Sequence, residues 1–198
     1  MTENQKLYSA ITKIAWGYIF ILVHIKINTM DLLPSFVGYG MILYSLTLLK
    51  DNCKTIMLLR PLAVVLIIWT ALSWVQETIG AQLIPFINYI SFIIEIIELY
   101  FNFQLLTDLS LLALQHQKEE NIAKKLITRR NIYTVCTTFL FILSFVMQKF
   151  FPTGADIVAT IFFATGIITL IIMFMIVSAL FGLRDLFKED PPSPEITA

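Results

Sequence analysis

Asn88, Ser91, Glu95, Glu98 and Asn102 recur at spacings of 3, 4, 3 and 4 within an otherwise apolar stretch. On a helix that spacing gathers all five on one stripe. Glu95 falls near the middle of the apolar run Leu83–Leu106, and Glu98 lies one turn further along. An ionisable group within a membrane helix costs about 2.5–3.5 kcal/mol on insertion scales, so such a stripe is expected to face a bundle interior or a water-filled cleft. Arg60 lies about five residues inside the preceding apolar run, which travels the opposite way. Counted from the ends of the two runs, Arg60 and Glu98 come to comparable depth, and an Arg60–Glu98 ion pair is expected. Glu95 would then lack a charged partner, and the two carboxyls would differ in protonation at neutral pH. A proton-coupled or cation-binding site needs that arrangement. The candidate ligand- or ion-binding residues are therefore Glu95, Glu98, Arg60, Asn88, Ser91 and Asn102. The competing reading makes the two glutamates a buried polar network that fixes helix register, with Arg60 reaching out to the interface.

Other chemistry is poorly supplied. His24 and His116 belong to opposite ends of the predicted spans and cannot jointly hold a haem or a metal. Cys53 and Cys136 both lie toward the predicted cytoplasmic side, where a disulfide is not expected. There is no Ser-His-Asp set, no HExxH and no Gly-rich phosphate loop, so neither an enzyme nor a cofactor or catalytic metal is expected. With no ATP-binding motif, any transport would run on a gradient or a partner protein. Fourteen basic residues balance fourteen acidic ones, which excludes a nucleic-acid binder.

The elements that must carry the stripe follow from composition. Of 198 residues, 58% are hydrophobic and only 14% charged, with a mean hydropathy of +0.80. Soluble domains carry about 45–50% apolar and about 25% charged residues. The expected solvent is therefore a lipid bilayer. Six segments meet the roughly 20 mostly apolar residues that a spanning helix needs: Ser9–Ile27, Leu32–Leu49, Thr55–Val75, Leu83–Leu106, Ile132–Met147 with its flanks, and Ile157–Phe181. They are continuously apolar, which excludes a transmembrane β-barrel. The expected fold is all-α: a polytopic transmembrane bundle of six helices in one domain, 1–187, followed by a flexible tail, 188–198, rich in proline. The first segment reads as an uncleaved anchor, because Lys26-Ile27-Asn28 follows it instead of a small-residue cleavage pattern.

The joints suggest caps at Asp31, with Pro34 in the following first turn, and at Asp156. Twelve of the fourteen Lys and Arg residues fall on one side of the six segments and two, Lys26 and Lys149, on the other. That asymmetry places both termini in the cytoplasm. The stretch 108–130 is expected either to extend the fourth helix or to lie as an amphipathic hairpin on the inner surface, where it could dock a partner. Gly38, Gly40, Gly166 and the Ser178–Gly182 pair suggest close helix packing, and Trp16, Trp69 and Trp74 interfacial belts or packing.

The stretch Asp31-Leu-Leu-Pro34-Ser-Phe-Val-Gly38-Tyr39-Gly40 resembles one found in small uncharacterised six-helix membrane proteins of Gram-positive bacteria, a group with no activity to carry over. Six spans with cytoplasmic termini also make the chain similar to the substrate-binding S components of energy-coupling-factor transporters. Those commonly carry an Ala-xxx-Ala packing face in the first helix, where this chain has Ala10 and Ala15. The residues leave two expectations: a cell-membrane, multi-pass protein that binds or moves a small solute or ion along the polar face of the fourth helix, or an accessory subunit, an S-component-like role included, that docks a partner protein through 108–130.

Overall fold

A computed structural model describes residues 2–23, 26–27, 30–31, 34–50, 52, 55–79, 87–116, 121–150 and 156–188. Among the described residues the chain forms six helices: α1 (Glu3–Leu22), α2 (Ser35–Leu48), α3 (Ile56–Ile79), α4 (Ile87–His116), α5 (Asn121–Phe150) and α6 (Asp156–Asp185). A two-residue antiparallel ladder, β1 (Lys26–Ile27) against β2 (Met30–Asp31), decorates the α1–α2 connection. The class is all-helical, as the apolar runs predict. Three stretches, Ile56–Ile79, Ile90–Gln115 and Phe163–Asp185, are long and apolar enough to cross a membrane. α2 is apolar but only 14 residues long. Lys6 and Lys13 dilute α1, and Lys124, Lys125, Arg129 and Arg130 dilute the first turns of α5.

The helices outrun the apolar segments because caps and side-chain bonds, not hydropathy, decide where a helix ends. α1 starts at Glu3 on a reciprocal capping box: Thr2 Oγ1 accepts from the Gln5 amide at 3.3 Å, and Gln5 Oε1 accepts from the Thr2 amide at 3.2 Å. The stretch 108–130 is absorbed into helix, with α4 continuing to His116 and α5 starting at Asn121. Leu109, Leu112, Ala113, Ala123 and Leu126 are fully buried there, so the extension packs into the protein. The Asp31 cap does not form. Asp31 pairs with Lys26 in the ladder, four residues before α2, and Pro34 takes the N-cap position in extended conformation with no side-chain bond. Asp156 is the first residue of α6; its side chain lies outside the described residues, as do those of His24 and His116, all of Cys53, and the tail 189–198.

Each helix packs against the next in sequence, and α6 returns to α1, closing a ring. Cross-helix contacts fix the directions as alternating. Asn52, just after α2, donates to Glu3 at the start of α1. Phe36 at the start of α2 meets Trp74 near the end of α3. Phe92 near the start of α4 meets Phe141 late in α5, and Arg184 at the end of α6 lies over Tyr8. α1 and α2 approach most closely at Gly17 and Gly38. A Cβ on Gly17 would sit 2.7 Å from the Gly38 carbonyl oxygen, and one on Gly38 would sit 2.5 Å from the Gly17 carbonyl oxygen. Gly38 thus packs as its residue type suggests. Gly40, Gly166 and Gly182 do not, since a Cβ on any of them meets nothing within 4 Å.

Burial is uneven along the ring. At the end that holds the start of α1 and the end of α6, Leu7, Ile11, Ile14, Leu46, Leu59, Leu105, Leu126 and Leu183 are fully enclosed. Past the level of Tyr18, Gly38, Leu66, Ile94, Tyr133 and Ile172, no described residue of any helix is buried. Neighbouring helices still touch there, as Phe36 does Trp74 and Phe92 does Phe141, but they enclose no side chain. Around the outside runs an exposed apolar belt that includes Leu58, Ile68, Ile93, Val135, Ile142, Phe163 and Phe174. So much contiguous exposed apolar surface is unstable in water and requires an apolar solvent or partner.

Candidate functional site

The stripe on α4 descends from the open end of the ring into its closed end. Ser91, Glu95, Glu98 and Asn102 span twelve residues, about 16 Å of helix. The lower two meet the opposite helices. Tyr39 Oη of α2 donates to Glu98 Oε1 at 2.9 Å. Tyr18 Oη of α1 donates to Asn102 Oδ1 at 2.8 Å, and Asn102 Nδ2 donates to Tyr133 Oη of α5 at 3.5 Å. The Tyr39 ring also meets Phe101 edge-on at 6.0 Å. Asn102 and the three tyrosines are buried. This layer of hydroxyls, amide and carboxyl forms the floor at which close packing begins.

Above the floor, the stripe opens. Glu95 lies on the same stripe but is exposed, because clefts open beside it toward both α3 and α5. Two clefts meet there, and both are bordered by Glu95 and Glu98. The first, about 430 Å³, lies between α3 and α4 with Ser35 of α2 at its edge; Trp69, Thr70, Ser73, Trp74, Glu77 and Ser91 complete its polar and aromatic lining. The second, about 520 Å³, lies between α4 and α5 and is lined by Tyr133, Thr137, Thr138, Phe141 and Ser144, with Gly166 of α6 beside it. The structure thus brings Ser91, Glu95 and Glu98 to open space and places Asn102 beneath them as a buried link. The Asn88 side chain lies outside the described residues.

Arg60 does not join the group, and no Arg60–Glu98 ion pair forms among the described residues. The reason is register. Thr55 Oγ1 donates to Asp108 Oδ1 at 2.6 Å, which aligns the start of α3 with the lower part of α4. From that level Arg60 is five residues up α3 and Glu98 ten residues up α4, so the two differ by about 7 Å in height. Energetic coupling is expected to follow. Arg60→Ala and Glu98→Ala should add to within about 0.5 kcal/mol in unfolding measurements, whereas Tyr39→Phe and Glu98→Ala should couple by about 1 kcal/mol.

The three tyrosines are partners of the stripe that the apolar runs conceal. Tyr18 does continue the enclosed face Leu7, Ile11, Ile14 at helical spacing, and that periodicity marks it as inward. Trp69 and Trp74 border a cleft, and Trp74 packs edge-on against Phe36. Among the described residues no three His, Cys, Asp or Glu side chains converge to hold a metal ion. What remains is a recess with carboxylates at its base, hydroxyls along its sides and indoles on one wall. Such a recess can take up a proton or bind a positively charged guest. No family model, curated protein or solved structure matches the chain.

Proposed function

We propose that the protein is a multi-pass integral protein of the cell membrane, with six spans and cytoplasmic termini, that binds or translocates a small solute or ion along the polar face of α4. The observation that carries this reading is that Glu95 and Glu98 border two clefts at once, directly above a hydrogen-bonded floor. Carboxyl groups at membrane depth persist where they meet water, partners or a ligand, and here they meet open space. The strong Lys and Arg asymmetry supports the orientation, and the exposed apolar belt supports the bilayer. The protein acts by binding and not by catalysis. Glu95 is the group that meets the guest first, Glu98 the group held in place by Tyr39.

Native mass spectrometry of the protein purified in mild detergent tests this directly. The expected result is a bound small molecule that disappears in Glu95→Gln while helicity by circular dichroism is retained. A stoichiometric protein partner with no small molecule would replace this reading with an accessory subunit, including one of S-component type. Its docking residues would then be sought among the exposed Lys124 and Lys125.

A further inference from the structure

Resting on the reading of the α4 stripe as a binding site, we infer that the cleft between α3 and α4 takes an organic cation, an ammonium or quaternary ammonium group seated between the Trp69 and Trp74 indoles and the Glu95 and Glu98 carboxylates. Charge gives the sign of the guest. Glu95 and Glu98 line this cleft, and among the described residues no Lys, Arg or His does; Arg60 stands a turn and more below. An anion would be repelled by Glu95 and Glu98, and a neutral guest would do nothing to offset their charge in a low-dielectric recess.

Size and wall chemistry give the class. A cleft of about 430 Å³ is in the range of small-molecule sites and is far larger than a proton or a bare metal ion requires. The absence of a three-ligand metal cluster among the described residues removes the donor set that a divalent ion would need. Indole faces attract alkylated ammonium groups through the ring quadrupole, and desolvation strengthens that attraction. Trp74 is braced edge-on by Phe36 at 5.8 Å, and Tyr39 holds the Glu98 carboxyl from the far side. Two of the four contacts are therefore fixed before a guest arrives, which lowers the ordering cost of binding. Ammonium groups of this kind come either as free solutes or as lipid headgroups.

Tryptophan emission reads the site. Of the three Trp residues, Trp16 lies against Phe181 on α1 and α6, so Trp16→Phe leaves only the two cleft indoles as reporters. That variant, in nanodiscs of phosphatidylglycerol alone, is titrated with choline and separately with its neutral carbon isostere, dimethylbutanol. The expected result is a saturable emission change with choline only, about tenfold weaker in Glu98→Gln. Glu95→Gln, whose side chain is exposed, gives the same comparison where Glu98→Gln fails to fold. Adding phosphatidylcholine to the discs separates the sources: a weaker apparent choline affinity assigns a headgroup as guest, and an unchanged one assigns a free solute. An equal response to the neutral isostere overturns the cation class and leaves the site standing. No response to either, while native mass spectrometry still shows a molecule lost in Glu95→Gln, also overturns the class alone. No response and no bound molecule overturn the binding site as well.

Discussion

Gly38→Ala is expected to destabilise the protein by about 2–3 kcal/mol, whereas Gly40→Ala, two residues further along the same helix, leaves stability unchanged or raises it by up to about 1 kcal/mol. The contrast comes from what each new methyl would meet. At Gly38 it lands 2.5 Å from the Gly17 carbonyl oxygen and 2.8 Å from Ile21 Cγ1; at Gly40 it meets nothing within 4 Å. A backbone oxygen cannot swing aside as a side-chain end can, so α1 and α2 must part. Since α1 also carries Tyr18 to the floor, the separation is felt at Asn102. Unfolding in mixed micelles with rising dodecyl sulfate measures both variants. Coincident transitions for the two alanines would contradict the close approach of α1 and α2. Gly17→Ala combined with Gly38→Ala should cost less than the sum of the two, because both act on one contact.

Removing Asn102 gives the second large effect. Its amide accepts from Tyr18 and donates to Tyr133, joining α1, α4 and α5 across the interior. Asn102→Leu keeps the volume roughly but strips both buried hydroxyls of that partner. Stranding a buried polar group costs about 1–3 kcal/mol, and a membrane interior often softens the figure, so a loss of about 2 kcal/mol is expected. Tyr18→Phe breaks one bond of the pair and should cost about 1 kcal/mol. Near-ultraviolet circular dichroism should also lose the signal of ordered tyrosines in Asn102→Leu. Wild-type stability and spectrum in that variant would show that apolar packing alone holds the floor.

The sequence is most informative about what each helix contains and least about how neighbours align. Long apolar runs mark all six helices, and the spacing of Ser91, Glu95, Glu98 and Asn102 identifies one inward face of α4. Periodicity is a property of one helix, so it survives without knowledge of any partner. The Arg60–Glu98 pairing fails because it required the relative height of two helices. Apolar boundaries do not supply that height: α4 runs ten residues beyond Leu106, and the Thr55–Asp108 bond sets the alignment instead. The tyrosines were hidden for a related reason. A tyrosine within an apolar run suits an interface, a core or a polar network equally well until a partner such as Glu98 or Asn102 is placed beside it. Thr2 and Gln5 are the opposite case, since their spacing of three already describes the cap that starts α1 before its apolar run begins.

The division of the ring into a tightly enclosed end and a less enclosed end has an evolutionary consequence. Enclosed positions such as Ile11, Leu46, Phe101 and Leu105 answer to volume on every side, so most exchanges there carry a cost. Thr70, Ser73, Thr138 and Ser144 border space instead, and their replacement touches little of the frame. A lineage built on this chain can therefore drift at the mouth while the base stays fixed. On the binding role proposed above, preference for a guest then becomes a trait that selection can retune through a few positions at the mouth, without first having to rescue the fold.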